Sequence, residues 1–379
     1  MKSFKETWLT RWRRIRGNKR LIFKGKMILL FIAGFLLLLA IPAVLVGFGS
    51  NGEPVVAGQG RHEKEMSPGT QKAQAQVTDS KKANTYNPNV RVYLSKEKKV
   101  ISLPLETYLE GVVAAEMPIT FEVEALKAQA MAARTFVVNR LEKGSTVSLT
   151  SYGLPHQLAD VTDTVQHQAY STDDKLRNQW KGRYQEYKTK IKQAIEGTRG
   201  QILTYQGKPI YAAFFSTSNG RTENSEEYFT AKYPYLVSVD SSWDRSSPKF
   251  EREATFPLSE VFSKLENQTK KPLDVAVSAF QAGSQMKVVK KTTGNRVANL
   301  SIGDKSFSGR EVREALGLAS SDFTWKQDGD KITFTTYGYG HGVGLSQWGA
   351  NLMAQTGAKA DKIVKHYYQG IQISEFEKK

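Results

Sequence analysis

The chain has 379 residues, 40% of them hydrophobic and 11% aromatic, too many for one small core and enough for a leading segment plus packed lobes. Its 54 Lys and Arg outnumber 37 Asp and Glu for a net charge of +17, which points to an anionic partner: nucleic acid, acidic lipid or a polyanionic glycan. There is no cysteine, so disulfides, thiolate chemistry and any zinc site needing sulfur are excluded.

Ten basic residues lie between Lys2 and Lys26, against the single acid Glu6. Twenty-two uncharged residues follow, Met27 to Phe48. At roughly 1.5 Å per residue they can cross a hydrocarbon core of about 30 Å. The positive-inside rule then leaves residues 1–26 in the cytosol and everything after residue 48 outside. A cleaved signal peptide is the rival, but its apolar region is normally shorter and ends at a small-residue cleavage site. Residues 49–88 are polar and read as a linker, so the folded part is expected over 89–375. An extracytoplasmic location also removes nucleic acid from the partners that the charge permits.

Alternation in "VRVYLS" and "VISLPL" predicts a strand pair. Helical patterns follow at Leu105–Met117 and Val123–Leu141, broken by Pro118. Residues 144–170, with His156 and His167, read as a loop, and Asp173–Glu196 as a charged helix. Later come strand-like runs "QILTY", "PIYAAFFSTS", "YLVSV", "LDVAVSAF", "MKVVKK" and "KITFTTYG", with a hairpin turn at Thr293–Arg296. Short helices fit Leu258–Leu265, Gly309–Leu316 and Leu345–Gln355. Helices early and strands late imply an α+β fold, with the helix pair edging a groove.

Four places can carry chemistry. In "GVVAAEMP" a single carboxylate, Glu116, interrupts a small apolar run. It is either a helix-end Glu in water or an acid whose pKa is raised by apolar neighbours. Lys127 and Arg134, seven apart, share one helix face. They are a solvated basic face or a cleft lining for carboxylates. "YGYGHGVGLSQWGAN" surrounds His341 with glycines and places Gln347 at a helix start. It lacks the features of a phosphate loop. "AFFSTSNGRTEN" sets Ser216 and Ser218 on one face if its strand continues, or is a turn satisfying its own backbone. No Gly-x-Ser-x-Gly elbow is present. A metal at His156 and His167 would need carboxylates such as Asp160 or Asp163.

In this order "PLETYLEGVVAAEMP", "ALKAQAMAARTF", "AAFFSTSNGRTEN" and "YGYGHGVGLSQWGAN" resemble the stage II sporulation protein D family and the related amidase enhancers. The resemblance spans roughly residues 85–375. It implies a membrane-anchored lytic transglycosylase of septal wall engulfment that cuts MurNAc–GlcNAc bonds of peptide-stripped peptidoglycan strands and leaves 1,6-anhydro-MurNAc. It implies Glu116 as catalytic acid and base, and Lys127, Arg134, Ser216, Ser218, His341 and Gln347 in substrate binding. No cofactor or metal is expected; the Cys-containing zinc site of some relatives has no counterpart here. The implied partners are a wall amidase, stage II sporulation protein P, and the membrane protein stage II sporulation protein M. A different class of function stays open, a non-catalytic glycan-binding activator of a wall amidase.

Overall fold

Helix α1 (Leu105–Glu116) follows an antiparallel hairpin of Asn89–Leu94 with Lys99–Pro104, the strand pair that the alternation predicts. Asn87 Oδ1 accepts from the Glu106 N–H at 3.0 Å and Pro88 C=O from that of Leu105 at 2.8 Å, so two open donors of the first turn are met. The helix stops because a residue before proline avoids helical backbone, and Met117 is extended at φ −118°, ψ 141°. Helix α2 (Val123–Glu142) then packs on α1, and its buried Ala128, Ala130, Ala132 and Ala133 let the elements around it approach closely.

The computed structural model describes residues 86–273 and 280–377. The basic segment, the apolar segment 27–48 and the linker up to residue 85 lie outside the described residues. Among the described residues no helix is long and apolar enough to cross a membrane. All of them belong to one compact unit, Asp79–Lys379, of mixed α and β structure.

The charged stretch after the loop forms two helices, α3 (Asp173–Trp180) and α4 (Tyr184–Glu196), because Lys181 takes a left-handed φ of 47° between them. They join α1, α2 and strand Gln201–Tyr205 in the larger core. The smaller core lies wholly between Leu258 and Phe334. It contains α5 (Leu258–Thr269), the single turn α6 (Ala282–Gln285), α7 (Gly309–Leu316) and a meander of Met286–Lys291, Val297–Ile302 and Lys305–Phe307. Its entry strand Glu251–Pro257 pairs antiparallel with its exit strand Lys331–Tyr337, so the chain leaves and returns at one place. That return brings the glycine-rich loop beside the Ser216–Ser218 segment, where Tyr339 N donates to Thr217 O at 2.7 Å. Helices α8 (Gln347–Gln355) and α9 (Ala360–Tyr367) then close onto the larger core.

Two expected strands differ. "PIYAAFFSTS" is not one strand: Pro209 pairs with Thr204, Phe214–Phe215 pair in parallel with Leu345–Ser346, and Thr217 bridges to Tyr339. "YLVSV" forms no strand because side chains take its donors: Ser238 N bonds to Asn224 Oδ1 and Val239 N to Thr222 Oγ1, each at 2.8 Å. Within "LDVAVSAF", residues 274–279 lie outside the described residues.

Arg134 points inward, which corrects the expectation that it lines a cleft, while Lys127 on the same face stays partly exposed. The Arg134 guanidinium is fully buried and grips Glu106 with two bonds, Nε to Oε1 at 2.8 Å and Nη2 to Oε2 at 2.7 Å. Its Nη1 donates to Gln201 O at 3.1 Å. Lys127 Nζ pairs with Glu124 at 2.8 Å, and its chain lies over Gly197. Arg134→Ala leaves the Glu106 carboxylate buried and unpaired, with an expected cost of about 3–5 kcal/mol by denaturant unfolding. Arg134→Met with Glu106→Leu should regain most of that, whereas a loss below about 1 kcal/mol for Arg134→Ala would contradict the assignment.

Candidate active site

Glu116 occupies the last position of α1, half-buried where α2, the segment 168–170 and the start of α8 converge. Its Oε1 accepts the Ala169 N–H at 2.7 Å and its Oε2 accepts Gln347 Nε2 at 3.1 Å. Burial raises the carboxyl pKa above the usual range, and these two donors pull it back only in part. No charged group is among the causes that set its protonation.

Both donors are themselves held. Gln168 is buried, taking the Tyr108 O–H on Oε1 at 3.1 Å and donating from Nε2 to Ala133 O at 3.3 Å. That seats residues 168–171 against α1, where Gly111 is required: a Cβ there would lie 2.3 Å from Tyr170 Cε2. Ser346 caps α8, accepting from Gly349 N at 3.2 Å and donating to Asp244 Oδ1 at 2.6 Å. The cap fixes the turn on which Gln347 stands. Gln347 Nε2 also reaches Gln129 Oε1 at 3.5 Å. The Gln129 Nε2 atom is buried without a partner beside the acid.

Ser216 lies next to this turn, since Trp348 N donates to Ser216 O at 3.0 Å, and its side chain is half-buried. Ser218 does not meet that description, which corrects its expected contact with substrate; His341 is half-buried but held in an aromatic cluster. Ser218 is fully buried, its Oγ donating to Arg221 O at 2.8 Å and accepting from Gly220 N at 3.1 Å, so it satisfies its own turn. The His341 ring packs 5.3–5.6 Å from Phe215, Tyr228 and Phe229, and its Nδ1 accepts from Val343 N at 3.1 Å. Burial and then Arg313 lower its pKa to about 3, so it is a neutral packing residue. His167 accepts from Thr162 N at 3.3 Å through Nδ1, while His156 is exposed.

Three groups escaped the sequence reading. Asp244 is fully buried, accepting from Ser241 Oγ at 2.6 Å, Ser346 Oγ at 2.6 Å and Ser218 N at 2.9 Å. Arg296, in the turn read only as a hairpin, is buried under the glycine loop: a Cβ on Gly342 (φ 88°) would sit 2.4 Å from Arg296 Cζ. An aromatic group formed by Tyr211, Tyr233 and Phe229 lies beyond Phe136 on α2, with Tyr211 stacked on Tyr233 at 5.5 Å and edge-on to Phe229 at 5.7 Å.

The family model described as stage II sporulation protein matches residues 93–205, the span that contains Glu116. Stage II sporulation protein D of Bacillus subtilis (strain 168) is 44% identical over 321 residues, covering 83% of this chain and 89% of that protein. The chain belongs to the stage II sporulation protein D family. The Bacillus amyloliquefaciens member is 46% identical over 287 residues, 76% of this chain and 79% of its own length. Kinship extends to an amidase enhancer of Bacillus subtilis (strain 168), 29% identical over 315 residues, 71% of this chain and 40% of that protein.

The Asp244 hub gives this family member a testable pH dependence. Burial raises the Asp244 pKa to about 6 in the folded chain. The native state therefore keeps a proton that the unfolded chain releases near pH 4, so this contribution to stability is full below about pH 4 and lost as pH climbs through about 6. The swing is about 3 kcal/mol. Asp244→Asn should remove that slope from unfolding free energies measured between pH 4 and 7. Equal slopes for parent and variant would count against a buried, titrating Asp244.

Proposed function

We propose that this protein is a lytic transglycosylase of cell-wall glycan, with Glu116 as its acid and base. One observation carries the reading: the Glu116 carboxyl has its pKa raised by burial, both its oxygens take fixed donors, and among the described residues no second acid is among the causes that set its protonation. Glycoside hydrolysis commonly uses two carboxyl groups at set separations. A transglycosylase needs one, because the sugar supplies the nucleophile.

In this mechanism protonated Glu116 gives its proton to the glycosidic oxygen, and the bond from MurNAc C1 to that oxygen breaks. The MurNAc 6-hydroxyl then attacks C1, and its proton passes to the Glu116 carboxylate. A C1–O6 bond replaces the C1–O4 bond, the acid is regenerated and no water is consumed. The two donors from Ala169 and Gln347 stabilise the carboxylate formed midway, while burial favours the protonated start. Ser216 and Gln347 are the polar contacts for sugar beside the acid. Tyr211, Tyr233 and Phe229 offer ring faces for the strand farther along a groove on the α2 face.

The same reading has segment 27–48 as a single membrane anchor, 49–88 as a tether and residues 89–375 acting outside the membrane in sporulation engulfment. The amidase enhancer's name supports a wall amidase as a partner, with stage II sporulation proteins P and M as the specific candidates.

Glu116→Gln keeps shape and hydrogen bonding but cannot shuttle a proton. It should fold and bind peptide-free strands normally while turnover falls by roughly 10²-fold or more, measured as soluble fragments released. Near-parent turnover would refute Glu116 as the acid, whereas no turnover by the parent chain would favour the activator reading.

A further inference from the structure

The face of α2 that meets the acid is the one through Gln129, Ala133 and Phe136, and it ends at Arg140. Eleven residues after Gln129 close to three full turns, so Arg140 lies on the same face about 16 Å farther along the helix. The Arg140 side chain is half-buried, with Nε donating to Asp160 O at 2.9 Å.

The nearest acid does not neutralise it. Asp160 is committed to Arg91, with bonds of 2.7 Å from both Arg91 N and Nη2. It acts on Arg140 only over a longer range, and burial outweighs it, holding the guanidinium below its ordinary pKa. Among the described residues Arg140 makes no ion pair. The titratable groups around it are Tyr108, Tyr211 and His167. Tyr108 and Tyr211 are held in the neutral phenol form by burial, and His167 is held neutral by burial and by Arg140 itself.

A partly desolvated cation with a free outer edge is costly unless an anion completes it. Arginine's planar fork suits a carboxylate, with two N–H groups meeting two oxygens. The Asp160 carbonyl takes Nε, and among the described residues the two Nη groups have no protein partner, on the helix face that leads to Glu116.

We propose that Arg140 is a carboxylate-binding subsite that seats an acidic substituent of the glycan strand beside Tyr211. The proposal rests on the glycan-strand reading above, with the lactyl carboxylate of a MurNAc residue as the ligand. It takes the place of the Lys127 and Arg134 pair, since Arg134 is buried against Glu106 and Lys127 is paired with Glu124.

The test uses the full-length chain carrying Glu116→Gln, so that strands bind without being cut. Calorimetry measures affinity for peptide-free strands and for the same strands with their carboxyls converted to methylamides. Added Arg140→Gln should weaken binding to the acidic strands by about tenfold and leave binding to the amidated strands unchanged, while Arg140→Lys recovers part of the loss. Equal weakening for both strands, or none for the acidic one, overturns the subsite. Lack of turnover in the parent chain would overturn the transglycosylase reading, and the affinities would still decide the subsite.

Discussion

The buried Asp244 carboxylate is the constraint on which the geometry of the candidate site depends. One oxygen takes Ser346 Oγ and Ser218 N, the other Ser241 Oγ, and Ser241 Oγ in turn meets Tyr367 O–H at 2.8 Å. Three chain segments and α9 therefore share one anchor. Burying a carboxylate costs free energy, and several hydrogen bonds offset only part of it, so the group is strained toward its protonated form. What the arrangement gains is position. Ser346 is fixed as the cap of α8, and the next residue is Gln347, which donates to Glu116.

The chain around Glu116 follows the same logic on its other side. Gln168 spends its amide on Tyr108 and Ala133, which leaves the Ala169 N–H aimed at the acid. Two opposing effects then act on one carboxyl. Desolvation favours the neutral form and the two donors favour the ion; desolvation is the larger. A carboxyl with a raised pKa and two fixed donors suits a group that must give a proton and then take one back. The pKa of Glu223 is also raised by burial and its carboxylate held by two donors, but unlike Glu116 it faces a cation, Arg296, and Glu106 is gripped by Arg134.

The local part of this arrangement was legible in the sequence. Pro118 announced the end of α1, whereas the apolar run around Glu116 left a helix-end Glu in water and a desolvated carboxyl both open. The helix start at Gln347 followed from the change of pattern after the glycines. Face assignment was not legible. A seven-residue spacing says that Lys127 and Arg134 share a side of α2, but the partners of that side, Glu106 and Gln201, are distant in sequence. The Ser216–Ser218 alternation failed for a related reason, because the strand stops at Phe215 and Ser218 turns inward to close a loop. His341 looked functional amid glycines, yet packing on Phe229 and Tyr228 explains it. Asp244 and Arg296 had no local signature, since their roles come chiefly from partners far along the chain, Ser218 and Ser346 for Asp244 and Arg221 and Gly342 for Arg296.

The central claim is that one carboxyl does the work of two, with the sugar's own hydroxyl in place of water. Cleavage of peptide-free strands in ¹⁸O-labelled water, followed by mass spectrometry of the new ends, tests it most directly. The account predicts ends that carry no label and have the mass of 1,6-anhydro-MurNAc. Labelled reducing ends would contradict it, because water would then be the nucleophile and a second general base would have to stand opposite Glu116.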